Sequence, residues 1–129
     1  MPKPLARILY VEDEPDIRAV AQMALEAVGG FVVIACASGS EALAAAPTAS
    51  ADLLLLDVMM PGMDGPSTLK ALREMPGTAS TPVIFMTAKV QATEIAQYKE
   101  LGAIDVIHKP FDPMELSAQL QRIWAQKGE

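Results

Sequence analysis

The chain has 129 residues with one Cys, one His and a formal net charge of −6, enough for one domain with a core of its own. A single Cys excludes an internal disulfide, and a single His leaves His-rich metal sites and His-activated nucleophiles without material. The acidic balance disfavours direct nucleic-acid binding. No apolar run reaches the roughly 18 residues a membrane helix needs, and the N-terminal segment turns acidic by Glu12, unlike a signal peptide. The expected location is cytoplasmic, with no membrane partner.

Five short apolar runs punctuate the chain: Ile8 to Val11, Phe31 to Ala35, Leu53 to Leu56, Val83 to Met86, and a short fifth at Val106-Ile107. None alternates with polar residues, so each reads as a strand covered on both faces. Between the first two, Ile17, Val20, Ala21, Ala24, Leu25 and Val28 recur at helical spacing until Gly29-Gly30 stops them. Ser40 to Ala46 forms a shorter segment expected to end at Pro47. Pro66 suits a first helical turn, with Leu69 and Leu72 on the buried face. Ala92 to Leu101 closes at Gly102, and Pro113 opens a last helix along which Leu116, Leu120 and Ile123 share a face.

The pattern is five β–α units in an α/β fold. Each crossover is long enough for a helix, so the strands lie parallel with helices on both faces. The chain is read as a single domain over 1–129, without repeat or interdomain linker, and as a stand-alone protein whose initial Met is native.

In open parallel sheets, ligands bind beyond the carboxyl ends of the strands. Glu12-Asp13-Glu14, Asp57, Thr87 and Lys109 fall at those ends of strands one, three, four and five. Taken singly, each has an ordinary structural reading, such as Asp13 capping the first helix. Together, three crowded carboxylates repel and raise one another's pKa, which calls for a cation. Mg²⁺ prefers a few carboxylates plus water and phosphate oxygens. One carboxylate is then free to attack phosphorus, with Lys109 neutralising the transferring group.

These residues resemble the receiver domain of two-component response regulators over nearly the whole chain. The most specific stretch is Asp57-Val58-Met59-Met60-Pro61-Gly62-Met63-Asp64-Gly65. Leu9 to Glu14, Met86-Thr87-Ala88 and Lys109-Pro110-Phe111 match in order and spacing. The resemblance implies a flavodoxin-like, doubly wound sheet of order 2-1-3-4-5 with five helices. It implies that Asp57 accepts the phosphoryl group, that Asp13 binds Mg²⁺ directly and Glu12 largely through water, and that Met59 contributes its backbone carbonyl. Thr87 would hydrogen-bond the phosphoryl group and Lys109 would pair with it. A cis Lys109–Pro110 peptide is also implied.

In that family an aromatic residue usually stands three positions before the lysine, and here the position is Val106. Val106 is short and stiff at χ1 and cannot swing as a ring does. Signalling is therefore expected to rest on Thr87 and the loop from Ala88 to Ala92. The implied donor is a histidine kinase or a histidine phosphotransfer protein, with an unidentified downstream protein target. The protein is expected to promote only its own phosphorylation and dephosphorylation, as a monomer or a weak homodimer through the face of helix 4, strand 5 and helix 5.

Three other readings compete. An aspartyl-nucleophile phosphohydrolase commonly has a general acid two residues after the nucleophile, where this chain has Met59. A flavin module needs a phosphate-cradling loop, where this chain has Glu-Asp-Glu-Pro-Asp. The chain also suits a receiver excised from a larger regulator or hybrid kinase. Of the remaining residues, Cys36 reads as a small apolar strand residue, and Met59, Met60 and Met63 as gap fillers. His108 is placed on the opposite face from Lys109, Lys89 at the pocket rim, and Trp124 at the edge of the core.

Overall fold

The most apolar runs make the middle of one parallel sheet. β1 (Arg7–Val11), β3 (Leu53–Asp57) and β4 (Val83–Thr87) lie side by side, flanked by β2 (Val32–Cys36) and β5 (Ala103–His108) in the order β2-β1-β3-β4-β5. Every residue of β3 and β4 is buried, as non-alternating sequences require. The computed structural model describes residues 3–127; the first two and the last two residues of the expected 1–129 domain lie outside that range.

Helices α1 (Pro15–Ala27) and α5 (Leu116–Lys127) cover one face, where Ala21, Leu25, Leu116, Leu120 and Trp124 pack on Ile8, Tyr10, Leu55, Ile84 and Met86. Helices α2 (Gly39–Ala49) and α3 (Gly65–Arg73) cover the other, where Ala42, Ala46, Leu69 and Leu72 meet Leu9, Val11, Leu54, Leu56 and Phe85. Helix α4 (Ala92–Glu100) has no buried residue, and its Tyr98 is the side chain packed against this second cluster.

Local chemistry moves several expected boundaries. α2 continues through Pro47 to Ala49 and ends where Ser50 turns left-handed at φ 50°. Pro47 sits in the last turn, where its missing N–H removes only one helical bond. Asp13 does not cap α1; Glu14 occupies the cap position without a side-chain bond, and Pro15 starts the helix. Pro113 precedes α5, which begins at Leu116 after a turn held by Glu115 and Leu116 amides donating to the Asp112 carbonyl. β5 is longer than its two-residue apolar core, because at the sheet's edge Asp105 and His108 are tolerated.

At the opposite end of the sheet from the strand tips, Asp52 is 7% exposed. Its carboxylate accepts from the backbone amides of Ala6 (3.1 Å) and Arg7 (2.8 Å) and pairs with Lys3 at 2.6 Å. The Trp124 indole donates to the Lys3 carbonyl at 2.7 Å, so the N-terminal segment is tied to both β3 and α5. Trp124 is buried at the core edge, as its sequence context suggests.

Candidate functional site

Adjacent strands β1, β3, β4 and β5 end at the same edge of the sheet, so the turn after each one opens onto a common depression. Glu12 follows β1, Asp57 ends β3, Thr87 ends β4 and Lys109 follows β5. Glu12, Asp57 and Thr87 are buried at 0%, 2% and 2% exposure, and Asp13 is half-buried. One carboxylate oxygen from each of Glu12, Asp13 and Asp57 lies within 4.8 Å of the others. The four strand tips thus bring together the residues that the sequence singled out.

Lys109 is the cation within this group. Its Nζ donates to Glu12 Oε1 at 2.8 Å and to Asp57 Oδ1 at 3.1 Å. Burial alone would lower the ammonium's pKa, but the two carboxylates outweigh it and raise it. Asp57 is pushed the other way from an ordinary carboxylate, up to about 7, first by burial and then by the Glu12 charge, with Lys109 offsetting part of the rise. One ammonium does not neutralise three carboxylates. An all-oxygen donor set with surplus negative charge fits a hard divalent cation.

Backbone contacts fix the acidic turn. Glu14 N–H donates to Glu12 Oε2 at 3.2 Å, and Arg18 Nη1 donates to the Glu12 carbonyl at 2.8 Å. Arg18 gives no sequence signal of this role, since it reads as a surface position of α1. Met59 has an exposed side chain, so it fills no gap, whereas Met60 is buried. Among the described residues no donor reaches the Met59 carbonyl, which leaves that oxygen open to a ligand. Met63 packs where a Cβ on Gly39 would stand.

Gly65 has a steric role. A Cβ there would lie 2.5 Å from the Asp57 carbonyl and 2.9 Å from Val58 Cα. The Gly65 amide donates to the Val58 carbonyl at 2.9 Å, and Asp64 caps α3 by accepting from Ser67 N–H at 2.8 Å. The start of α3 is thereby pressed onto the backbone that presents Asp57.

Thr87 Oγ1 accepts the Lys89 amide at 3.1 Å. The Lys89 side chain and Ala88 are exposed at the rim, His108 is exposed on the edge strand, and Val106 is half-buried. The Lys109–Pro110 peptide is cis. Composition and spacing gave no hint of the Tyr10 hydroxyl. It is buried without a hydrogen-bond partner among the described residues, and burial together with the Glu12 and Asp57 charges raises its pKa.

Comparison with known proteins bears on this geometry. A family model described as "Response regulator receiver domain" matches residues 8–121. Transcriptional regulatory protein CpxR of Escherichia coli is 43% identical over 117 residues, covering 91% of this chain and 48% of its own length. Alkaline phosphatase synthesis transcriptional regulatory protein PhoP of Bacillus subtilis is 39% identical over 117 residues, again 91% of this chain and 48% of the relative. The chain therefore spans about half the length of these curated relatives. Among solved structures, chemotaxis protein CheY4 of Vibrio cholerae superposes with a TM-score of 0.84 at 34% identity, covering 92% of this chain and 98% of that one.

Proposed function

Since this chain belongs to the response regulator receiver domain family, whose members are phospho-accepting signalling switches, we propose that Asp57 is its phospho-acceptor and that the surrounding strand-tip residues serve the transfer. The observation that carries this reading is the buried Asp57 carboxylate held beside Glu12, Asp13 and the Lys109 ammonium.

Glu12, Asp13, Asp57 and the Met59 carbonyl would hold Mg²⁺, which when bound neutralises charge on phosphoryl oxygens. An Asp57 oxygen attacks the phosphorus of a phosphohistidine. The P–N bond breaks, its electron pair returns to the imidazole, and the ring takes a proton from solvent. Lys109 pairs with the phosphoryl oxygens and Thr87 donates its hydroxyl proton to one of them. Hydrolysis of the acyl phosphate returns the carboxylate, so the protein acts on its own phosphoryl group and not on a separate substrate. A histidine kinase or histidine phosphotransfer protein is the donor, and an unidentified protein reads the state.

Two relatives are named as transcriptional regulators, but each extends well beyond the region matched here. Our reading of no direct nucleic-acid contact concerns this domain alone and is supported by its net charge of −6. Among the described residues no helix is long and apolar enough to cross a membrane. A cytoplasmic location, and a monomer or weak homodimer through the α4–β5–α5 face, complete the proposal. Residues 1–129 are read as one receiver domain.

The test is incubation with acetyl phosphate and Mg²⁺ followed by intact mass measurement. The wild type gains one phosphate, and Asp57→Asn gains none. Equal labelling of both would overturn the assignment.

A further inference from the structure

Helix α4 lies along β5 and has no buried residue, and two side-chain attachments tie it to β4. The first is at its N-terminal end. The Thr87 hydroxyl oxygen accepts the Lys89 amide at 3.1 Å, and its own proton meets no protein acceptor among the described residues. Lys89 stands two residues before Gln91, which caps α4 through reciprocal bonds with Glu94. The chain entering the helix therefore hangs from the hydroxyl at the tip of β4.

The second attachment is an aromatic contact. The rings of Tyr98 and Phe85 have centroids 5.4 Å apart and are tilted by 55°. Phe85 is fully buried in β4 and shares the face of Thr87, two residues away. Its register partner on β5 is Val106. Position 106 thus supplies no ring beside Phe85, and α4 supplies one. With no residue of α4 buried, this seam and the Lys89 link are what couple β4 to a helix of low local stability that otherwise lies on β5.

We propose that Tyr98 is the pivot of the switch: phosphorylation of Asp57 recruits the Thr87 hydroxyl, displaces the Lys89 link, and turns α4 about the Tyr98–Phe85 contact. β4 is buried along its whole length and stays fixed. The moving surface is then the loop from Ala88 to Gln91 with the first turns of α4. This pivot depends on phosphorylation at Asp57, as proposed above, and carries that event to the surface. It needs only a differential interaction of the phosphoryl group with Thr87 in the two arrangements.

The experiment compares amide spectra and hydrogen exchange with and without beryllofluoride and Mg²⁺, in the wild type, Tyr98→Phe, Tyr98→Ala and Lys89→Pro. In the wild type and Tyr98→Phe, beryllofluoride moves α4 amides to a second discrete set of positions. In Tyr98→Ala, α4 exchange rises at least tenfold without ligand and the second set is lost. Lys89→Pro removes the donating amide, so the shift stops at Thr87 and does not reach α4; this variant decides the matter should Tyr98→Ala not fold. Acetyl phosphate labels Asp57 in all four proteins. A wild-type α4 response in either Tyr98→Ala or Lys89→Pro overturns the proposal, whereas absence of labelling in the wild type would instead overturn the phospho-acceptor reading.

Discussion

Lys109 Nζ lies 3.1 Å from Asp57 Oδ1, joining residues 52 positions apart in the chain. The same ammonium reaches Glu12, so its removal leaves two buried carboxylates facing each other without a cation. Lys109→Met should lower stability without divalent ions by about 3 kcal/mol, as loss of one partner from a buried pair does. Mg²⁺ should bind more tightly to the variant, because a competing cation is gone, and should restore part of the loss. Labelling of Asp57 by acetyl phosphate should slow at least tenfold. Denaturant melts with and without Mg²⁺, and timed mass spectra, read these effects.

Asp57 supplies a pH signature. Its pKa is raised to about 7 by burial and by Glu12, so the folded protein holds a proton that the unfolded chain would release. The associated stability is complete below the unfolded carboxylate value and is lost as pH rises through about 7. Without divalent ions, Asp57→Asn should therefore be more stable than wild type at pH 8, by a few kcal/mol at roughly 1.4 kcal/mol per unit. The two should melt alike near pH 4. Equal stability at pH 8 would contradict the burial argument.

Asp52 works in the opposite direction. Burial would raise its pKa, but the Lys3 ammonium and the Arg7 and Ala6 amides outweigh burial and lower it. Its stabilising effect is present above the ordinary carboxylate value and disappears as acid carries the solution through the lowered one. Asp52→Ala should destabilise the protein by about 2–3 kcal/mol at pH 7, with two backbone amides left without their acceptor. The difference should shrink toward pH 3. Asp57 labelling at saturating acetyl phosphate should be unchanged, because this anchor lies at the far end of the sheet.

Gly65→Ala should disturb the site without altering any charged group. The added Cβ would stand 2.5 Å from the Asp57 carbonyl, against backbone that must itself move. A stability loss of roughly 1–3 kcal/mol is expected, as in other overpacked positions. Slower labelling of Asp57 should accompany it, along with amide shifts centred on Asp57 and Val58.

The chain order of acids, hydroxyl and ammonium was legible because strand tips are easy to locate when strands are unbroken apolar runs. Leu53 to Leu56 and Val83 to Met86 announce central strands, and the polar residue after each run marks the site edge. Contacts made by backbone groups were not legible. Arg18 looks like any helix-surface arginine, and its bond to the Glu12 carbonyl exists only once α1 folds back on the turn. Asp52 sits in an unremarkable loop sequence, and its amide partners come from a segment 45 residues away. Pro47 misled because a proline in a helix's final turn removes little. Val106 was visible as a departure, but its counterpart Tyr98 emerged only when α4 was seen against β4.

The bond from Lys109 to Glu12 spans 97 positions, so the strand-tip cluster is complete only once strand five is in place. A polypeptide still leaving the ribosome carries Asp57 long before the strand-five lysine, 52 positions later, is available to neutralise it. On the reading proposed above, an incomplete copy should therefore take up a phosphoryl group at least tenfold more slowly than the finished domain, so that uptake becomes efficient only once the last strand docks.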